Sequence, residues 1–182
     1  INNSGGTAIY VVADVSNELD CIKIINKTVD TYGGIDILLN NAGISMRALF
    51  DDLKLSVFDK VMQVNFYGTL YCTKYALKYI LKNRGSVVGV SSIAGHKGLP
   101  ARTAYSASKF ALRGFLEALR IENLKRGLHV LIASPGFTAS EIRNKSLNST
   151  GEIQVESPRD ERKMMTPDLV AKKIAIAIEK RK

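Results

Sequence analysis

The 182-residue sequence lacks several features that mark specialised classes of protein. It contains no tryptophan and only two cysteines, and Cys21 and Cys72 are too far apart for a CxxC pair. Both are therefore expected to be buried free thiols in a reducing compartment. No apolar run approaches the roughly 18 residues of a membrane-spanning helix, so no span is predicted. The opening INNSGGTAIY has neither the basic start nor the cleavage pattern of a secretory signal, and the expected location is the cytoplasm.

The composition and charge of the chain indicate a globular domain and limit its binding partners. Apolar residues make up 46% of the sequence and charged residues 24%, so residues 1–182 are expected to fold as one domain with a buried core. The formal net charge of +9 points first to nucleic acid. The basic residues are dispersed, however, apart from EKRK near the end, and no nucleic-acid partner is predicted. Steering of an anionic cofactor or substrate is a competing use of the same charge.

Short apolar segments alternate with segments of helical period along the chain. Buried strands are predicted at Thr7–Asp14, Ile35–Asn40, Gly85–Ser92 and Leu128–Gly136. Helices are predicted at 17–32, from an N-cap at Ser56 to near Gly85, at Thr103–Arg126 before Gly127, and from an N-cap at Thr166. Residues 139–165 are polar without a clear period, which predicts a long loop.

This alternation predicts an α/β fold with a parallel sheet covered by helices on both faces. Such sheets bind ligands beyond the carboxyl ends of their strands. The unusual polar groups all follow strand ends, at Asp14, at NNAG (40–43), at Ser91–Ser92 and at SPGFT (134–138). Their convergence on one crevice is a site hypothesis that depends on topology alone.

Two further features have an ordinary explanation when each is taken alone. Tyr105 and Lys109 of the stretch YSASK lie on one helix face, as many surface pairs do. Asn65 lies inside a predicted helix, where a solvent-facing asparagine is the commoner case. The tyrosine–lysine pair also has a sharper interpretation, because a nearby ammonium group favours the phenolate and lowers the pKa of a tyrosine from about 10. Such a tyrosine would be a useful acid or base near neutral pH.

The order of these features resembles that of the short-chain dehydrogenase/reductase family. The chain carries, in sequence, NNAG, the mid-helix Asn65, Ser92 thirteen residues before Tyr105, Lys109 four residues after it, and PG after the next strand. The resemblance runs from about residue 7 to about residue 138, and more loosely through the last helix. It implies a Rossmann-type, doubly wound, three-layer α/β/α domain.

The resemblance also implies an activity and four catalytic roles. The activity is NAD(P)(H)-dependent interconversion of a secondary alcohol and a ketone. Tyr105 would be the general acid/base, and Lys109 would lower its pKa and hold the ribose hydroxyls of the nicotinamide half. Ser92 would hydrogen-bond the substrate oxygen. Asn65 would anchor a water that relays protons through Lys109.

The cofactor contacts implied by the resemblance lie at the same strand ends. Asp14 and Val15 would border the adenine. Asn41, Ala42 and Gly43 would pass the adenosine side, while Pro135, Gly136 and, with weaker support, Thr138 would flank the nicotinamide beside Tyr105 and Lys109. The cofactor would be NAD or NADP, with NADP favoured, and no metal is expected. Residues 139–165 match the variable substrate loop of the family.

One family motif has no counterpart in this sequence. The glycine-rich TGxxxGxG turn, which holds a pyrophosphate at a helix N-terminus, is absent, and NSGG at 3–6 precedes a predicted strand instead of following one. Without the two family strands that come earlier, Thr7–Asp14 would have no partner and the edge of Ile35–Asn40 would be open. We therefore expect the physical protein to be longer than this sequence.

The sequence leaves one alternative function open and implies an assembly state. A non-catalytic member of the family, used for binding or assembly, is the main alternative, although a binding module need not keep Asn65, Ser92, Tyr105 and Lys109 together. The resemblance implies a homodimer or homotetramer that pairs through the helices at about 56–83 and 103–126. These helices carry apolar residues beyond one buried face, namely Tyr71, Tyr75, Tyr79, Phe115 and Leu119.

Overall fold

A computed structural model describes residues 1–154 and 164–182 of the chain. Three parallel strands form its central sheet, in the order β1 (Ile37–Asn40), β2 (Ser86–Val90) and β3 (His129–Ala133). Residues Leu38, Val87 and Val130 lie side by side in the register of the three strands. All three strands run in the same direction, so their carboxyl ends meet at one edge of the sheet.

Five α-helices accompany the strands within the described residues. They are α1 (Glu18–Tyr32), α2 (Leu55–Met62), α3 (Gly68–Lys82), α4 (Thr103–Glu122) and α5 (Pro167–Glu179). The α5 start confirms the prediction, because Thr166 caps the helix by accepting a hydrogen bond from Leu169 N and proline occupies the first turn. None of these helices is long and apolar enough to cross a lipid bilayer.

Helices lie on both faces of the sheet, as the strand pattern predicted, although the second face is covered only near β3. On one face, Val87 and Val130 pack with Ala76 of α3 and Leu116 of α4 in the main core, and α1 adds Ile25. On the opposite face, Leu131 and Ala133 of β3 line a cavity of about 330 Å³ with Val170 and Ile174 of α5. Leu119 belongs to the main core, which corrects its expected place on an outer face. Cys21 and Cys72 are buried free thiols, as predicted.

The predicted strand Thr7–Asp14 does not form. No segment in the described part of the chain pairs with it, and side chains take its carbonyls instead: Lys23 Nζ donates to Val12 O at 3.2 Å. Tyr10 is 89% exposed and Val12 79%. A strand is stabilised by the ladder beside it, so an apolar run alone does not make one. Among the described residues β1 pairs only with β2, so its other edge is open as well. The face of β1 that carries Ile37 and Leu39 is also largely uncovered, since these side chains are 50% and 48% exposed.

The long helix predicted from Ser56 is interrupted and begins earlier. Its N-cap is Lys54, so Ser56 lies in the first turn and caps nothing. Between α2 and α3 the backbone widens into one π-helical turn, Gln63–Tyr67, with Asn65 at its centre. Such turns occur frequently at functional sites, because they redirect side chains without ending the helix.

The predicted loop 139–165 contains ordered structure in its described part. A short antiparallel pair forms between β4 (Ser146–Leu147) and β5 (Ile153–Gln154). Leu147 also bridges in parallel to Met46, and Thr138 bridges to Met165. Residues 155–163, which carry part of the predicted substrate loop, lie outside the described residues.

Candidate active site

The ends of the parallel strands bring most of the predicted site residues to one region. Asn40 lies beside Gly89 in the last pair of β1 and β2, and Val90 lies beside Ala133 in the last pair of β2 and β3. The segments that follow these strands carry Gly43, Ser92 and Pro135, while α4 and the π-helical turn add the remaining polar side chains. The predicted convergence of polar groups at the carboxyl ends of the strands is therefore found for three of the four predicted strands. The exception is Thr7–Asp14, which forms no strand.

Asn65 is fully buried and holds the turn after β1 in place. Its Oδ1 accepts a hydrogen bond from Ile44 N at 2.8 Å, and its Nδ2 donates to Ile44 O at 3.0 Å and to Ser108 Oγ at 3.0 Å. The solvent-facing alternative for Asn65 is therefore wrong. The π-helical turn directs the amide inward, where it joins the NNAG segment to helix α4.

Ser108 and Lys109 extend this polar cluster along α4. Ser108 donates to Tyr105 O at 2.8 Å while it accepts from Asn65, so the hydroxyl is used in both directions. Lys109 is 3% exposed, and its Nζ donates to Val90 O at 2.8 Å at the end of β2. Burial lowers the pKa of Lys109 to about 8. Among the described residues, only that one carbonyl accepts from the ammonium group, which leaves two N–H groups for a ligand.

Tyr105 lies next to Lys109, but its titration is governed by other groups. The Lys109 Nζ is 5.7 Å from the centre of the Tyr105 ring. Burial raises the pKa of Tyr105, while hydrogen bonding with Ser92 and the charges of Arg102 and Arg143 act in the opposite direction. Lys109 is not among these causes, so its expected lowering of the Tyr105 pKa stays a prediction. The charges of Arg102 and Arg143 favour the phenolate against the effect of burial on the pKa of Tyr105.

The two serines after β2 differ in their surroundings. Ser92 is partly exposed; its Oγ accepts a hydrogen bond from Ala94 N at 3.2 Å and interacts with Tyr105. Ser91 is buried, and its Oγ has no partner within the described residues. A Cβ at Gly95 would lie 2.4 Å from that oxygen. The geometry therefore keeps Ser92, and not Ser91, facing the tyrosine, in agreement with the thirteen-residue spacing.

The NNAG segment has the close approach to the site that a bound cofactor requires. A Cβ built on Gly43 would lie 3.3 Å from Asn65 Oδ1 and 3.6 Å from Lys109 Nζ. Asn41 and Ala42 are exposed and precede it. The absence of a side chain at Gly43 leaves space in front of the buried ammonium group. These residues fit the ribose hydroxyls of a dinucleotide, which would accept the remaining Lys109 hydrogen bonds.

The segment after β3 is held by a short backbone ladder. Ala139 N donates to Met165 O and Met165 N donates to Phe137 O, both at 2.9 Å. Thr138 Oγ1 donates to Gly136 O at 3.1 Å, so its hydroxyl is used locally. Pro135 and Gly136 line the cavity under α5. The structure thus places these residues at the strand-end edge but does not bring Thr138 into contact with Tyr105 or Lys109.

The structure places Asp14 and Val15 apart from the tyrosine, in front of α1. Asp14 Oδ1 accepts hydrogen bonds from Ser16 N at 2.9 Å and Ser16 Oγ at 2.8 Å, and these bonds lower the pKa of Asp14. Val15 packs on the start of α3, where a Cβ built on Gly68 would lie 3.0 Å from Val15 Cγ2. Asp14 is exposed, as a residue bordering an adenine would be.

Arg102 was not found from the sequence, and Ser108 was given no role there. Arg102 lies three residues before Tyr105 and donates from one nitrogen to Ser45 Oγ, Met46 O and Ser146 Oγ. It is the N-cap of α4, just before the helix Thr103–Arg126 that the sequence predicted, so no helix face pointed to it. Its partners were not visible, since Ser45 and Ser146 are distant in sequence.

Taken together, the fold and the site define a doubly wound α/β domain with a buried lysine, a tyrosine and an asparagine at its strand ends. The family model for the short chain dehydrogenase matches residues 1–150. The chain belongs to the short-chain dehydrogenase family.

Curated relatives show the same family over part of their length. The 11-beta-hydroxysteroid dehydrogenase A of Arachis hypogaea is 40% identical over 150 residues, which cover 81% of this chain and 43% of that protein. An uncharacterized oxidoreductase of Thermotoga maritima is 40% identical over 142 residues, covering 78% of this chain and 56% of that protein. The chain thus spans about half the length of the curated relatives it matches.

A solved structure confirms the fold. The alcohol dehydrogenase of the archaeon Thermococcus sibiricus, solved in complex with 5-hydroxy-NADP, superposes with a TM-score of 0.84 at 20% identity. The alignment covers 98% of this chain and 71% of that one. At this identity the likeness establishes the Rossmann-type architecture.

Proposed function

We propose that the protein containing this chain is an NAD(P)(H)-dependent oxidoreductase that interconverts a secondary alcohol and a ketone, with Tyr105 as general acid/base. The observation that carries the proposal is the buried ammonium group of Lys109 beside Tyr105, in front of the space left by Gly43. Burying a charge is unfavourable unless partners compensate it. One carbonyl compensates the buried Lys109 charge only in part, whereas ribose hydroxyls would accept hydrogen bonds from its remaining N–H groups.

The roles of the side chains follow from their positions. A bound nicotinamide would supply or accept the hydride. Ser92 would donate to the substrate oxygen and hold it against the Tyr105 hydroxyl. In ketone reduction Tyr105 would give its proton to that oxygen, and in alcohol oxidation it would take the proton back. Asn65 would keep Ile44 and Ser108 fixed, so that α4 and the NNAG turn stay in register around Lys109.

The choice between NAD and NADP and the identity of the substrate call for separate support. The structural neighbour in complex with 5-hydroxy-NADP supports a dinucleotide and leaves both cofactors to be tested. The names of the plant relatives make hydroxysteroids one class to screen, beside simple secondary alcohols and ketones. A binding protein without catalysis remains the alternative, and the cluster of Asn65, Ser92, Tyr105 and Lys109 argues against it.

The test is the Tyr105→Phe variant of the intact protein. Removing the hydroxyl should lower kcat by about a hundredfold or more, the size of a lost general acid/base. The affinity for NADPH or NADH, followed by cofactor fluorescence, should stay within about threefold, since the phenol oxygen gives only a small part of the binding free energy. Wild type is first titrated with both cofactors and then screened with carbonyl substrates.

Tyr32→Phe is the matched control, because Tyr32 is 46% exposed and ends α1 just before the amino end of β1, at the sheet edge opposite the cluster. It should have the activity of the wild type. Cofactor binding without turnover of any carbonyl would support the binding protein, and an active Tyr105→Phe variant would show that another group moves the proton.

A further inference from the structure

Arg102 connects three separate segments with a single nitrogen. Its Nη1 donates to Ser45 Oγ at 2.7 Å, to Met46 O at 2.7 Å and to Ser146 Oγ at 3.1 Å. Ser45 and Ser146 are buried. The contacts join the start of α4, the segment after NNAG and strand β4. An arginine is suited to this place because it stays charged when it is partly buried and its planar fork keeps a fixed direction.

Backbone hydrogen bonds hold one side of the predicted substrate loop against the segment that Arg102 contacts. Leu147 N donates to Ser45 O at 2.9 Å, and Arg47 N donates to Leu147 O at 2.8 Å, so β4 adds to segment 45–47 as a parallel strand. Gln154 closes the far side by donating to Arg47 O at 2.7 Å. Leu147 and Met46 pack in a second core cluster with Ala104 of α4. We call segment 45–47 with β4 the Arg102-held wall.

Arg102 also places a positive charge near the proposed proton donor. Tyr105 follows it by one helical turn, and the guanidinium charge favours the phenolate against the opposing effect of burial on the pKa of Tyr105. Among the described residues, the other charged groups near Tyr105 are Arg143 from the loop after β3 and Lys109 from α4. The Arg102 guanidinium also donates hydrogen bonds to the wall, at Ser45, Met46 and Ser146.

We propose that Arg102 is a positioning residue that fixes the Arg102-held wall against α4 and keeps a cation beside Tyr105. The first half stands on geometry alone, whereas the second rests on the proposed function. The wall would set the shape of the pocket on the substrate side. Since one guanidinium does both, the position of the wall and the ionisation of Tyr105 would be coupled.

Three variants of the intact protein separate the two halves. Arg102→Gln removes both the charge and the three-way contact. Ser45→Ala with Ser146→Ala removes two of the three acceptors and keeps the charge. Arg102→Lys keeps the charge but replaces the planar fork by a flexible ammonium group. Arg120→Gln is the control, because it removes a cation from the same helix, where Arg120 donates to Val130 O at 2.9 Å.

Hydrogen exchange tests the wall without any need for activity. In Arg102→Gln the amides of Leu147 and Arg47 should exchange about tenfold faster or more, since bonds to a charged donor are lost. The double serine variant and Arg102→Lys should show a smaller increase, and Arg120→Gln should show none. Unchanged exchange at both amides in Arg102→Gln would overturn the first half, whatever reaction the protein catalyses.

The pH profile of alcohol oxidation tests the charge. Loss of the cation raises the pKa of the phenol, so the limb assigned to Tyr105 should move to higher pH by about one unit in Arg102→Gln. The limb should stay in place in Arg102→Lys and in the double serine variant. In the double serine variant, KM should rise by a larger factor than kcat falls. A limb that does not move in Arg102→Gln, in an enzyme that still needs Tyr105, would overturn the second half. A loss of the Tyr105 requirement would refute the proposed function instead.

Discussion

The stability of the site depends most directly on Asn65, and the replacement Asn65→Ala tests this. The change removes three hydrogen bonds and leaves both the N–H and the C=O of Ile44 without a partner. Ser108 loses a donor but still donates to Tyr105 O, so its cost is small. An orphaned buried polar group costs about 1–3 kcal/mol, and water can reach the partly buried Ile44. We therefore expect a loss of about 2–4 kcal/mol in the free energy of unfolding.

The assay is urea denaturation of the intact protein followed by circular dichroism. Gln63→Ala is the matched control, because Gln63 lies in the same π-helical turn and is exposed. It should change the free energy of unfolding by less than about 0.5 kcal/mol. If Asn65→Ala is as stable as Gln63→Ala, the amide does not hold Ile44 in solution, and the structural account of the site is wrong.

Two further predictions concern Lys109 and Gly89. Because burial lowers the pKa of Lys109 to about 8 from 10.5, the unfolded chain binds more protons between these pH values. Stability should therefore rise with pH across this window, by about 3 kcal/mol from this group, and Lys109→Met should flatten the rise in urea titrations at pH 7 to 10.5. A parallel slope in both proteins would refute the assignment. A Cβ at Gly89 would lie 2.3 Å from Leu116 Cδ1, so Gly89→Ala should lower the melting temperature through a cost of about 1–3 kcal/mol, whereas Gly114→Ala, where the space is open, should not.

The open edge beside β1 shows where sequence reasoning reached its limit. The apolar run Thr7–Asp14 has the composition of a strand, yet it forms no ladder because no described segment offers it hydrogen-bond partners. Composition decides whether a segment can be buried, while pairing depends on a second segment elsewhere in the chain. The expectation that this run would lack a partner was derived from the order of strands in the family.

Sequence alone determined the parallel α/β sheet and the grouping of the candidate residues. Continuous apolar strands separated by helical periods permit few other arrangements, and parallel strands must end at one edge. For that reason NNAG and the Ser91–Ser92 pair could be assigned to one crevice before any contact was known. Tyr105, Lys109 and the choice of Ser92 joined this site through the spacing that the chain shares with the short-chain dehydrogenase family.

Only the tertiary structure decided which groups touch and which charges matter. It turned Asn65 inward through a π-helical turn, and it placed Arg102 against Ser45 and Ser146, residues 57 and 44 positions away in the sequence. It also showed that burial dominates the pKa of Tyr105 and that arginines oppose this effect. Burial and long-range hydrogen bonds depend on the packing of distant segments, whereas the periodicity of a sequence reports only on its neighbours.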